Sequence, residues 1–296
     1  MDQTSLAAEE VSRAKETYRY LRIIALIPAS WLIVTLVVSS LIDGHFNDSI
    51  SDYYGEPIRD VFVGALMASG VCMIAYKGRS KLEDWALNFS GVNTFFVALV
   101  PNTFEDILGD ADQPGDLITS LRWTIAFFIV AAIVFTVVDK FVMDWTPFAL
   151  REQTGLANAA IGVSWLAETV LILGVLRFVV FGSDEFFPGL SMYTFIHFGA
   201  AILLVVNLAF AAASFSFERL QKTDDPISST FLKVVSGLML LGVPGGFALF
   251  GLGCDYAIII VELWEIVLFI LFWVAATGIE WKLPDALAGV LGRATS

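Results

Sequence analysis

The sequence predicts an all-α polytopic membrane bundle of about eight transmembrane helices, with the N-terminus and the C-terminus both cytoplasmic. Three observations carry that expectation. The 296 residues are 57% hydrophobic and only 16% charged, with a mean hydropathy of +0.76, whereas a soluble domain carries about 25% charged residues. The apolar residues fall in blocks of about 20, the length a helix needs to cross a bilayer core. The basic residues then alternate between the two sides in the manner of the positive-inside rule.

The spans are read at roughly 22–42, 57–76, 85–104, 121–142, 157–178, 192–215, 231–252 and 256–280. With the N-terminus inside, 14 of the 17 Lys and Arg fall on the cytoplasmic side. Only Arg59, Arg122 and Arg177 are left for the outer side. An even number of crossings returns Lys282 and Arg293 to the cytoplasm. The first apolar run is too long for a signal h-region, and Val38-Ser39-Ser40-Leu41 is a poor cleavage site, so it is expected to stay as an anchor. The expected location is a plasma membrane, of the bacterial inner-membrane type.

One membrane domain, 21–282, accounts for the chain. Residues 1–20 and 283–296 are expected as cytoplasmic tails. Val11, Ala14, Tyr18 and Leu21 share one helical face, which suits a tail lying along the inner surface; a flexible tail is the alternative. The connections are short, and no internal repeat is evident.

The net charge of −13 is concentrated on the outer face. Asp43, Asp48, Asp52, Glu56 and Asp60 flank the first outer loop, and Glu105, Asp106, Asp110, Asp112 and Asp116 crowd the second. Such a rim attracts cations and repels nucleic acid. Plain solubility, with positive charge kept off that side, is the simpler alternative. Cys72 and Cys254 fall at opposite membrane faces, which excludes a disulfide between them.

Charged residues inside the bilayer cost about 2.5–3.5 kcal/mol each on insertion scales, so those present ask for a reason. Glu168 in span five and Glu262 and Glu265 in span eight qualify. At about 1.5 Å per residue, the last two lie roughly 9 and 13 Å below the outer surface and Glu168 roughly 15 Å. All three are therefore expected in one depth band. His197, Arg59, Asp60, Arg122 and Arg177 gather in the same half. The stretch Ser49-Ile50-Ser51-Asp52-Tyr53-Tyr54 is expected to hang over the mouth. There Asp52, Tyr53, Arg59 and Asp60 are candidates to bind a polar headgroup or a cation. The alternatives are structural: belt aromatics, a Ser49/Ser51/Asp52 cap on span two, an Arg59–Asp60 pair, and neutral Glu residues stitching helices. Leu241-Gly242-Val243-Pro244-Gly245-Gly246 marks a weak point in span seven, either a break lining a cavity or a packing kink.

The run Ser49-Ile50-Ser51-Asp52-Tyr53-Tyr54, followed by Arg59-Asp60-Val61-Phe62-Val63-Gly64, resembles a signature of uncharacterised bacterial multi-pass membrane proteins. Tyr76-Lys77-Gly78 and Val97-Ala98-Leu99-Val100-Pro101 continue the pattern, so the clear likeness covers residues 49–103. It implies a membrane protein and supplies no catalytic role. The plan is also distantly similar to ceramidase-like hydrolases, whose zinc is held by three histidines. This chain departs from them, having only His45 and His197. A metal held by Glu262, Glu265 and His197 has no motif behind it, and no cofactor fingerprint appears.

Three function classes follow. The first is one-sided binding or transport of a cation, proton or lipid headgroup. The second is a membrane-embedded lipid hydrolase or transferase, with Glu262 or Glu265 as base or metal ligand, His197 as acid and the three outer arginines as phosphate clamps. The third is a structural or assembly factor. Partners are the lipid bilayer and a cation or lipid ligand, with no nucleic acid.

Overall fold

The computed structural model describes residues 3–55, 58–78, 80–141, 155–182, 185–219 and 226–294. Side chains of 3–15, 18–19, 54, 139–140, 217–219, 226–229 and 278–294 lie outside that description. Among them are those of Val11, Ala14 and Tyr18, of the face expected for the N-terminal tail.

The described chain is built from long helices: α1 Gln3–Asp43, α2 Arg59–Ala75, α3 Lys81–Leu99, α5 Pro114–Phe141, α6 Gly155–Phe181, α7 Met192–Arg219, α8 Pro226–Gly251 and α9 Ala257–Ala294. Three small outer elements join them. A 3-10 turn spans Ile50–Gly55, the short helix α4 spans Phe104–Asp110, and a hairpin pairs β1 Glu185–Phe187 with β2 Leu190–Ser191. The sequence reading did not anticipate any of the three, because each is shorter than a bilayer-length window.

Six of these helices, α1 and α5 to α9, are long and apolar enough to cross a membrane. This is a multi-pass helical membrane protein. Its surface is correspondingly apolar: Trp123, Phe127, Ile133 and Val134 stand exposed along α5, a pattern suited to lipid and not to water. The two remaining long helices fall outside that set for different reasons, α2 for its length and α3 for its polarity. α2 has 17 residues. α3 begins with Lys81, Glu83 and Asp84 and buries Ser90, Asn93 and Thr94. A helix walled by protein needs no lipid-facing surface, and α3 packs against α2, α5, α6 and α7.

Polar ties set the register of α3 against its antiparallel neighbour α7 at three levels. His197 Nδ1 lies 2.7 Å from Val100 O, Ser90 Oγ donates to Leu204 O at 3.2 Å, and Ser80 Oγ pairs with Ser214 Oγ at 2.7 Å. α2 approaches α3 at glycine: a Cβ on Gly91 would lie 2.8 Å from Gly70 O, and one on Gly70 would lie 2.9 Å from Gly91 O. Small residues at such crossings let membrane helices close on each other.

Ser80 opens α3 as its N-cap and accepts from Glu83 N. Pro244 sits within α8, which runs through it as one helix, so the broken-helix alternative is not realised. Two of the three apolar clusters among the described residues stack along the bundle. An outer one joins Leu32, Leu36, Ile50, Tyr53, Phe62, Ala65 and Ile259. A deeper one includes Met73, Phe215, Met239, Phe272 and Trp273.

Candidate functional site

At the end of the bundle where α1 closes and α7 begins, the serine- and tyrosine-bearing stretch folds back into the protein. Ser49, Ile50, Ser51 and Tyr53 are all buried. Ser49 acts as the cap of the 3-10 turn: its Oγ accepts from Ser51 N at 3.0 Å, and its own N donates to Asp52 Oδ2 at 2.8 Å. This reciprocal pattern is that of a capping box. It corrects the expected cap on span two, whose N-cap Ile58 makes no side-chain cap bond.

Three helices hold this plug. From α9, Glu262 Oε2 accepts from Ile50 N at 2.7 Å and Oε1 from Ser49 Oγ at 3.2 Å. From α1, Ser40 Oγ meets Tyr53 OH at 2.7 Å, and Asn47 N donates to the same phenol at 3.2 Å. From α7, His197 Nε2 meets Ser51 Oγ at 3.3 Å. Because Val100 O can only accept, His197 Nδ1 carries the proton and the neutral ring offers Nε2 to the Ser51 hydroxyl. That is the hydrogen-bond order of an activated serine. Ser51, however, is fully buried, so no substrate reaches it while the plug is seated.

The structure divides the three membrane carboxylates. Glu262 belongs to the plug. Glu168 on α6 is buried with Asn93 of α3 and Asn207 of α7, whose Nδ2 atoms both donate to its Oε1, at 2.5 and 3.1 Å. Glu265 points elsewhere. Its carboxylate lies against Gly242 of α8, where any side chain would collide with it. Its Oε1 is buried with no hydrogen-bond partner among the described residues.

Glu265 also borders a partly open cavity of about 90 Å³ lined by α1, α2, α3, α7 and α9. The wall is apolar, from Leu32, Ala65, Leu208 and Phe269 among others, with Ser69 and Thr94 as its other polar residues. Thr94 Oγ1 is turned to Ser90 O. Leu32 and Ala65 belong equally to the cluster that includes Ile50 and Tyr53, so the plug packs next to two residues of the cavity wall. Ala29, Met73, Leu208 and Phe269 tie its floor to the deeper cluster.

The outer arginines are occupied by backbone. Arg122 Nη2 donates to Val179 O at 2.8 Å and Val180 O at 3.2 Å, closing the C-terminal carbonyls of α6, a favourable place for a cation. Arg177 Nη1 donates to Phe186 O of the hairpin at 3.0 Å. These contacts place the two guanidiniums on carbonyls, not around a shared phosphate pocket. Arg59 and Asp60 stand exposed at the start of α2.

Sequence reasoning missed Arg22, placed among the cytoplasmic basic residues. It is buried near the middle of α1, at the start of its apolar run, where it donates to Ala276 O at 3.1 Å and to Tyr76 OH, with its guanidinium 4.8 Å from the Tyr76 ring centre. Its place as the last cation before an apolar run was the available signal. Both cysteines are free. Among the described residues no group of three or more His, Cys, Asp or Glu could hold a metal. Compared with known protein families, curated proteins and solved structures, the chain finds no match.

Proposed function

We propose that this protein crosses a plasma membrane eight times, with both termini cytoplasmic, and binds a small cationic ligand from the outer side. The binding cavity lies beneath the Ile50–Gly55 plug. The observation that carries this reading is that Glu265, whose Oε1 is buried against Gly242 with no hydrogen-bond partner among the described residues, also lines an otherwise apolar hollow. A buried acceptor left without a donor costs about 1–3 kcal/mol, and a ligand that brings both positive charge and an apolar body removes that cost. A primary alkylammonium ion of three or four carbons has that chemistry and approximately that size. The acidic rim supports delivery of cations, since clustered like charge raises their local concentration. The tightly packed floor, closed by Phe272, Trp273 and the Arg22 contacts, supports one-sided access.

The plug supplies the gate. It follows Gly44, which ends α1 at φ +74°, a conformation glycine adopts at little cost. Its seat is made of hydrogen bonds to three different helices, so it is released as a unit. The eight-span count is supported by the packing of α2 on α3 and of α3 against α5, α6 and α7, and the orientation by the distribution of Lys and Arg.

The test is calorimetric and thermal titration of the protein in nanodiscs with methyl- to butylammonium. A bound ligand raises the melting temperature according to its occupancy. Propyl- or butylammonium is expected to stabilise the wild type and to lose at least tenfold in affinity in Glu265→Gln. A wild type indifferent to the whole series would refute the reading.

A further inference from the structure

We propose that Glu168, Asn93 and Asn207 form a binding site for one small monovalent cation of sodium's size, clamped between α3, α6 and α7. The inference is independent of the Glu265 cavity, which none of these three residues lines.

The three side chains are 4%, 0% and 1% exposed, respectively. Both amides turn an N–H toward the same carboxylate oxygen, Glu168 Oε1. That arrangement consumes donors and leaves acceptors. Asn93 Oδ1 and Asn207 Oδ1 are buried with no donor among the described residues. Glu168 Oε2 receives no hydrogen bond there either. An amide's nitrogen and oxygen are about 2.2 Å apart, so both orphan oxygens lie within roughly 5 Å of Glu168 Oε1. The cluster thus gathers carboxylate and amide oxygens short of positive partners, at a depth where an unmet polar group is expensive.

Charge selects the occupant. The described hydrogen bonds bring no Lys, Arg or His to this carboxylate. One carboxylate neutralises one positive charge, whereas a divalent ion would leave a net charge buried in the membrane. Calcium sites draw on six to eight oxygens, several of them anionic, and this cluster has a single anionic residue. The residues also come from three helices, so a bound ion joins α6 to the α3–α7 pair. Binding is therefore expected to stabilise the fold as well as fill the site.

The experiment uses the purified full chain in nanodiscs at constant ionic strength, with sodium, potassium or choline as the chloride. Radioactive sodium binding and the melting temperature are read together. The expectation is about one saturable sodium per chain, with a rise in melting temperature in sodium over choline. Glu168→Gln, nearly isosteric, should lower sodium affinity at least tenfold and erase the sodium-dependent rise. Asn207→Ala should weaken binding in the same direction, and Asn93→Ser serves where that variant does not fold. Glu265→Gln should bind sodium as the wild type does, which separates this site from the cavity. Wild-type protein that binds no sodium, or binding unchanged in Glu168→Gln, overturns the proposal. The first result would leave a protonated Glu168 or a trapped water as the occupant. Sodium binding lost in Glu265→Gln but kept in Glu168→Gln would overturn it equally.

Discussion

Glu262 Oε2 accepts the backbone N–H of Ile50 at 2.7 Å, so a carboxylate on the last helix anchors the first residue of the plug that follows the first helix. Residues 212 positions apart thereby fix the outer mouth. Glu262→Ala should free the plug, with a loss of about 2 kcal/mol from the two bonds removed. Glu262→Gln, which keeps an acceptor, should lose less than half of that. Amide hydrogen exchange over residues 48–55 checks it: exchange should accelerate in Glu262→Ala first. Equal protection in wild type and Glu262→Ala would show that the plug is held by other contacts.

Tyr53→Phe removes the phenol that joins Ser40 Oγ and Asn47 N while leaving the ring in the outer cluster. A loss of about 1 kcal/mol is expected, read as a fall in melting temperature in detergent. Tyr53→Leu should cost more, because the ring packing goes too.

The α2–α3 crossing depends on absent side chains. Gly91→Ala would set a Cβ against the Gly70 carbonyl and the Ile74 side chain, and backbone cannot yield as a flexible side chain does. A loss of about 2 kcal/mol is expected. Gly64→Ala, on the same helix as Gly70 but with open space around its position, should be neutral or slightly stabilising. Comparable melting temperatures for the two variants would contradict this crossing.

Asp52 sets a pH dependence at the mouth. Burial lifts its carboxyl above the ordinary range, opposed by the Ser49 N–H and reinforced by the charges of Asp48 and Asp106. The folded value thus exceeds the unfolded one. The contribution to stability is then fully present below the unfolded value and is lost as pH rises through the folded value. Asp52→Asn, which keeps an oxygen for Ser49 N, should flatten that part of the profile. Melting temperatures from about pH 3 to pH 7 decide it. A constant offset between variant and wild type across that range would show that Asp52 does not titrate there.

Much of the membrane architecture was legible because bilayer thickness imposes its length on the sequence. The starts and ends of α6, α7, α8 and α9 were approached within a few residues on the outer side, where Gly182, Pro188, Gly253 and the acidic rim break the apolar runs. The long inner continuation of α9 to Ala294 was not, since Pro284 and polar residues read as a tail. Azimuth was not legible. Glu262 and Glu265 are three residues apart and share a face in sequence terms, yet one turns to the plug and the other to Gly242. Side-chain length is comparable to the distance between helices, so small differences in rotation decide the partner. Only the packing of α3 between α6 and α7 reveals that Asn93 and Asn207 meet Glu168.

The account rests most heavily on a ligand-accessible hollow beneath the plug, with Glu265 as its counter-charge. Ser69 lines that hollow, so a cysteine there reports on it directly. In a Cys72→Ala, Cys254→Ala background, Ser69→Cys should react with aminoethyl methanethiosulfonate in nanodiscs. Propylammonium should slow that reaction at least tenfold, and the protection should vanish when Glu265→Gln is added. A Ser69→Cys thiol that never reacts, or reacts equally fast with and without propylammonium, would contradict the site.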